Sequence, residues 1–220
     1  GIYLHLPDGR LIAITREKIK AFARRFEANL DQIPAHLRKA VEFQACSICP
    51  ERDRALFCHA LPPTLAFVDE LAGVKSFHNV TAVFRGPEPT LVVAPNTTMQ
   101  EALQFVAAMS LMNHCEVGKK YWKYFVGVHP LQDPDTLSAR VYLNIFWECQ
   151  GNRAAVQEKL ESFTEEITST SICQVNRLRL IVNDDALINA YASVQSQVVC
   201  LAMRGGDQVL RSFEKHLERA

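Results

Sequence analysis

Cysteine is the residue type in this sequence whose spacing points to chemistry. Seven occur, at Cys46, Cys49, Cys58, Cys115, Cys149, Cys173 and Cys200, and three of them fall within thirteen positions. Cys46-Ser47-Ile48-Cys49-Pro50 is a CxxC pair. Cys58 follows with His59 beside it, and Cys115 has His114 beside it. Tetrahedral zinc is commonly held by two sulfurs from one tight turn and two ligands from other elements. The two-residue gap lets both sulfurs approach one ion at about 2.3 Å without backbone strain. The first expectation is therefore a structural zinc held by Cys46, Cys49, Cys58 and Cys115, with His59 or His114 as substitutes for a cysteine ligand. Such a site would contribute directly to folding.

Three other chemistries fit the same residues. Four thiolates suit an iron–sulfur cluster, although neither common ferredoxin spacing is present. Cys46 and Cys49 alone suit a cycling dithiol, but such motifs sit at a helix N-terminus in a βαβ pattern, whereas Pro50 opens a charged loop. The last option is a set of unrelated core thiols. Cys149, Cys173 and Cys200 stand isolated among apolar neighbours, and read as inert.

These side chains need elements to bring them together. Pro7-Asp8-Gly9 between two β-prone runs predicts a hairpin over 2–14, because Pro fixes φ and Gly accepts φ > 0. Thr15 can cap a helix with the face Ile19, Phe22, Phe26 and Leu30. Val41, Phe43 and Ala45 alternate with polar residues, which predicts a strand running into Cys46. Pro62-Pro63 opens a helix through Phe67, Val68 and Leu71 to Gly73. A second hairpin follows, with Val80, Ala82 and Phe84, a Gly86-Pro87-Glu88-Pro89 turn, and Leu91-Val92-Val93. From Thr98 to about Met112 the chain is apolar on nearly every side, the mark of a buried helix ending just before Cys115.

The second half is helical. Leu137, Val141, Ile145 and Cys149 give one face, ended by Gly151, and Val156, Leu160, Phe163 and Ile167 give the next. Leu187, Tyr191, Val194, Val198 and Leu201 form a narrow seam suited to a neighbouring helix or to a second subunit, so a homodimer through 187–201 is an expectation. Gly205-Gly206 predicts a break before a last helix with Leu210, Phe213 and Leu217. The sum is an α+β fold: a small antiparallel sheet from two hairpins and one further strand, packed with a buried helix, then an all-helical C-terminal layer. No linker separates residues 1–130 from 131–220, so one compact domain over 1–220 is expected.

Composition bounds the function. Lys and Arg number 24 against 24 Asp and Glu, so there is no electrostatic reason to expect a nucleic-acid partner. Lys119-Lys120-Tyr121-Trp122-Lys123-Tyr124-Phe125 mixes cations with aromatics, but Tyr121, Trp122 and Phe125 share a helical face, which reads as a docked amphipathic segment. No apolar run approaches the roughly 20 residues of a membrane span, and no charged-then-apolar leader is visible. Seven is an odd number of cysteines, which fits free thiols in a reducing cytoplasm. Asp184-Asp185 and the other adjacent acidic pairs read as caps or solvated faces. HExxH, Walker and GxSxG motifs are absent, so catalysis has no motif behind it.

Gln44-Ala45-Cys46-x-x-Cys49-Pro50, Cys58, Thr97-Thr98-x-Gln100-x-x-Leu103 running to Cys115, Val175-Asn176-Arg177 and Asp185-Ala186-Leu187-Ile188-Asn189-Ala190 together resemble a bacterial family of unknown function. Its members share a CxxCP pair, two further cysteines and a helical C-terminal part. The resemblance spans most of the chain and implies that Cys46, Cys49, Cys58 and Cys115 are the matched positions. The family pattern has Pro after the later cysteines, whereas here His59 and Glu116 follow. The expectation is a cytoplasmic, metal-stapled zinc module, not an enzyme, that binds a protein or small-molecule partner. The alternative is a redox protein or sensor using an iron–sulfur cluster or a CxxC dithiol.

Overall fold

The Pro7-Asp8-Gly9 turn forms as its residues require. Leu6 N–H donates to the Arg10 carbonyl at 2.9 Å, and Gly9 takes φ of 86°. It joins β1 (Ile2–His5) to β2 (Leu11–Ile14). The second hairpin joins β3 (Asn79–Arg85) to β4 (Leu91–Thr98), and the antiparallel sheet runs β2-β1-β3-β4. The computed structural model describes residues 1–86 and 90–217, with side chains throughout except at 26, 28, 204–207, 209–210 and 212–217. Most of the turn expected at Gly86-Pro87-Glu88-Pro89 therefore lies outside the described residues, as do the side chains of Phe26, Leu210, Phe213 and Leu217. Leu4, Ile12, Ile14, Val80 and Ala82 form the buried face of the sheet.

That face meets the helix expected after Thr98. α4 (Met99–His114) opens on a capping box, in which Thr98 Oγ1 accepts from Glu101 N–H and the Glu101 carboxylate accepts from Thr98 N–H at 2.9 Å. Two orphan donors are satisfied reciprocally. Phe105 of α4 sets its ring edge-to-face against Phe84 of β3, with centroids 5.7 Å apart. α1 (Arg16–Ala28) starts at Thr15, whose hydroxyl accepts from Lys18 N–H at 3.2 Å.

The further strand expected over 41–45 does not form. Leu37, Ala40 and Val41 are buried together on α2 (Ala35–Glu42), at spacings of three and four. Alternation over five residues is too short to outvote that helical face, and the chain is already irregular at Phe43. The helix from Pro62 to Gly73 is also broken. α3 spans only Pro62–Leu65, and a separate 3-10 turn covers Val68–Leu71.

The helical layer contains α5 (Pro134–Glu148), α6 (Arg153–Leu178) and α7 (Ala186–Leu217). α6 continues well past Ile167, the last residue named on its expected face. α7 runs without a break through Gly205-Gly206, because glycine within a helix costs only about 1 kcal/mol. Over Ala186–Met203 it is long and apolar enough in composition to cross a membrane, with mean hydropathy 1.3, which corrects the expectation that no such run exists. Its seam residues Leu187, Tyr191, Val194, Val198 and Leu201 are buried within the chain, on a helix packed along α4, α5 and α6. The fold thus gives the seam to neighbouring helices and leaves none of those five side chains for a second subunit. The segment Gly118–Phe125 is a 3-10 helix that buries Tyr121 and Tyr124 and exposes Trp122. An α-helical face was expected there, but a period of three puts 121 and 124 on one side.

Asp184 and Asp185 tie the two parts of the chain together. Asp184 accepts from Gly73 N–H and from Lys75 Nζ, both at 2.7 Å. Asp185 accepts from Ser76 N–H at 2.8 Å and Ser76 Oγ at 2.9 Å, one residue before α7 begins. The Ser76 N–H bond, opposed by partial burial, holds the Asp185 carboxyl below its usual range. A depressed carboxylate contributes stability above its unfolded pKa of about 3.9, which is lost as pH falls through the lower folded value. Asp185→Ala should cost about 1–2 kcal/mol at pH 7. In urea melts, the gap to the unsubstituted protein should hold down to about pH 5 and narrow below about pH 4.

Candidate functional site

Cys46, Cys49, Cys58 and Cys115 line one cavity of about 240 Å³. Each arrives differently. The end of α2 at Glu42 frees the chain to enter the CxxC turn, which closes with Cys49 N–H donating to the Cys46 carbonyl at 2.9 Å. The Cys58 carbonyl accepts from Leu61 N–H at 3.0 Å, just ahead of α3. Cys115 is the C-terminal cap of α4, its N–H on the Leu111 carbonyl at 3.1 Å. Gly118 makes that corner possible, since a Cβ there would lie 2.2 Å from the Leu111 carbonyl oxygen. The other end of the loop is fixed by Ser110 Oγ, which donates to the Ala60 carbonyl at 2.9 Å.

The two histidines are placed unequally. His59 lines the cavity, and its Nδ1 lies 3.2 Å from the Glu116 carboxylate. His114 is not among the lining residues. Burial lowers its pKa, with Lys119 and His59 adding to the effect. Among the described residues, no group of three or more His, Cys, Asp or Glu side chains is drawn together closely enough to hold a metal ion.

α6 supplies the wall that the sequence analysis did not anticipate. Cys173, taken as an isolated thiol, is hydrogen-bonded to Cys46. Gln174 Nε2 donates to Cys58 Sγ at 3.3 Å. Arg177, with 1% of its surface exposed, lines the same cavity. Its Nη2 donates to the Gln44 carbonyl at 2.9 Å and its Cζ lies 5.7 Å from the centre of the Phe43 ring. Its Nε and Nη1 have no hydrogen-bond partner. Cys173 and Gln174 each lie about one turn before Arg177, at spacings of four and three.

Electrostatics follow from this crowding. Hydrogen bonding with Cys173 raises the Cys46 thiol, and burial reinforces the effect. Cys173 is correspondingly lowered by that hydrogen bond and, against its own burial, by Arg177. Burial pushes Cys115 up to about 11 and raises Cys49 as well, and in both the Cys58 charge adds to the rise. Burial opposes the charge on Arg177, while the sulfurs of Cys58, Cys173 and Cys46 favour it, and its pKa is raised. The groups acting on this guanidinium are thiols, where a carboxylate is the usual companion of a buried arginine.

A larger cavity, about 330 Å³, lies elsewhere, walled by Phe105, Met109, Phe125, Val128, Leu131 and Leu137. None of the cysteines lines it.

No family model matches the chain, and neither a curated protein nor a solved structure matches it. The case for the site therefore rests on its own residues.

Gly118→Ala should destabilise the protein by about 1–3 kcal/mol, since the Leu111 carbonyl is backbone and cannot swing aside. A thermal melt checks this. Thiol labelling should show Cys115 reacting faster in the variant, because the displaced corner carries it.

Proposed function

We propose that this protein carries an iron–sulfur cluster on Cys46, Cys49, Cys58 and Cys115 and serves as a redox protein or sensor. One observation carries the reading: four cysteines from three separate segments line a single cavity of about 240 Å³. A cluster of four irons and four sulfides stands its cysteines apart around its own volume, and it is held by four thiolates. The buried cation beside the thiols supports the same reading, because four thiolates and a cluster together carry net negative charge. Cys46, Cys49 and Cys115 are all pushed towards the protonated thiol when free, so loading releases protons and weakens as pH falls.

The cavity is reachable from solvent. His59 and Arg52 on its lining are exposed and Cys58 is half-buried. That position suits electron exchange with a partner, or sensing of an oxidant. Zinc on the same cysteines is the second reading, favoured by the CxxC turn and its N–H to carbonyl bond.

Protein purified without oxygen should contain about four irons and four sulfides per chain and absorb broadly near roughly 400 nm. Cys58→Ser should lose most of the iron and bleach the band. About one zinc per chain with no visible absorbance would replace this reading with the second. A metal-free, colourless protein after reconstitution with iron and sulfide would overturn both.

A further inference from the structure

The second cavity, of about 330 Å³, is walled by apolar side chains whose burial the core leaves unfinished. Phe105 and Met109 of α4, Phe125, Val128 and Leu131 from the chain leading to α5, and Leu137 of α5 line it, and each is only half-buried. Its volume falls at the lower end of the roughly 300–1,000 Å³ typical of small-molecule sites, whose walls are mainly apolar and aromatic with a few placed polar groups. Apolar surface left around a void forfeits both burial and contact, so a fold gains stability by filling such a space. Here the small residues Ala94 of β4 and Ala108 of α4 stand on the wall instead. Leu131 reaches the same wall from the left-handed region, at φ of 64°, where a leucine is strained.

The exposed carboxylates on the lining give the cavity a sign. Glu101 lies in the first turn of α4, and Asp133 caps α5. Glu101 Oε2 accepts from Thr98 N–H at 2.9 Å and from the Thr98 and Thr97 hydroxyls at 2.9 and 3.0 Å. The Thr98 N–H bond, opposed by partial burial and aided by the two hydroxyls, holds the Glu101 carboxyl below its usual range. Asp133 Oδ1 accepts from Thr136 N–H at 2.9 Å. Both acidic groups are thus fixed in position by the helix starts they cap. Among the described lining residues there is no Lys or Arg, and His129 is the one imidazole. Phe105 and Phe125 add aromatic rings, whose faces attract cations.

We propose that this cavity binds a small organic cation, an amine joined to a compact apolar body. Phe105, Met109 and Leu137 take the body, and Glu101 and Asp133 attract the ammonium head. The site shares no lining residue with the thiol cavity, so it stands or falls independently of the cluster reading.

The test is isothermal titration calorimetry on the full chain with three probes of one shape: phenylbutylamine, phenylbutanol and phenylbutyrate. The amine should bind about tenfold more tightly than the alcohol, and the carboxylate most weakly. Ala108→Phe fills the cavity, and should abolish amine binding without lowering the melting temperature. Glu101→Gln keeps an acceptor for the cap but removes the charge, and should cut the preference for amine over alcohol severalfold. Binding of none of the three probes, or binding of the alcohol or the carboxylate as tightly as the amine, would overturn the proposal. So would undiminished amine binding by Ala108→Phe. Should Ala108→Phe fail to fold, an unchanged amine preference in Glu101→Gln overturns it equally.

Discussion

The Arg177 guanidinium lies almost wholly out of water beside the sulfurs of Cys46, Cys58 and Cys173. The Gln44 carbonyl accepts from its Nη2 at 2.9 Å, and the guanidinium is also hydrogen-bonded to Cys58. Desolvating a cation this way is among the more expensive things a fold can do. The surrounding structure has to hold that charge in place and supply something to balance it. The chain leaving α2 provides a carbonyl and an aromatic face, through Gln44 and Phe43. The CxxC turn, the start of α3 and the end of α4 provide thiols, which become compensating charges once deprotonated.

The helical layer makes this arrangement rigid. α6 carries Cys173, Gln174 and Arg177 on one face, and α7 packs along α6 and α4 on another side. Tyr191, fully buried on α7, hydrogen-bonds through its hydroxyl to Thr64 Oγ1 at 2.7 Å, reaching the short helix just beyond Cys58. Asp184 and Asp185 fasten the start of α7 to the loop at 73–76. The cysteine loop, although irregular, is therefore bounded at 58–61 and at 115–118 by elements belonging to the core. That is the condition under which four thiols separated by up to 69 positions, from Cys46 to Cys115, can address one volume.

Much of this was legible in the sequence, for identifiable reasons. Pro7-Asp8-Gly9, the Thr15 cap and the apolar face Leu137, Val141 and Ile145 are local signals, and each forms where its chemistry predicts. The four clustered cysteines were picked out by type and spacing, and the fold brings all four to one cavity. What was missed is non-local or sits below the reach of periodicity. The alternation at Val41, Phe43 and Ala45 competes with a helical face at Leu37, Ala40 and Val41, and burial decides for the helix. Tyr121 and Tyr124 follow a 3-10 period that an α-helical count misassigns. Cys173 looked inert because its partner lies 127 positions earlier in the chain. A signal for α6 did exist: Thr170, Ser171, Gln174 and Arg177 are buried polar residues at spacings of one, three and three. A polar stripe of that period on a helix otherwise destined for the core marks a face turned towards something polar.

The central claim is that the thiol cavity beside Arg177 holds an iron–sulfur centre. Anomalous diffraction from anaerobically grown crystals, recorded on either side of the iron and zinc edges, tests it most directly. An iron peak in the cavity lined by Cys46, Cys49, Cys58 and Cys115 is the predicted result. A lone zinc peak drawing the four sulfurs together, or a cavity of ordered water with no anomalous signal, would contradict it.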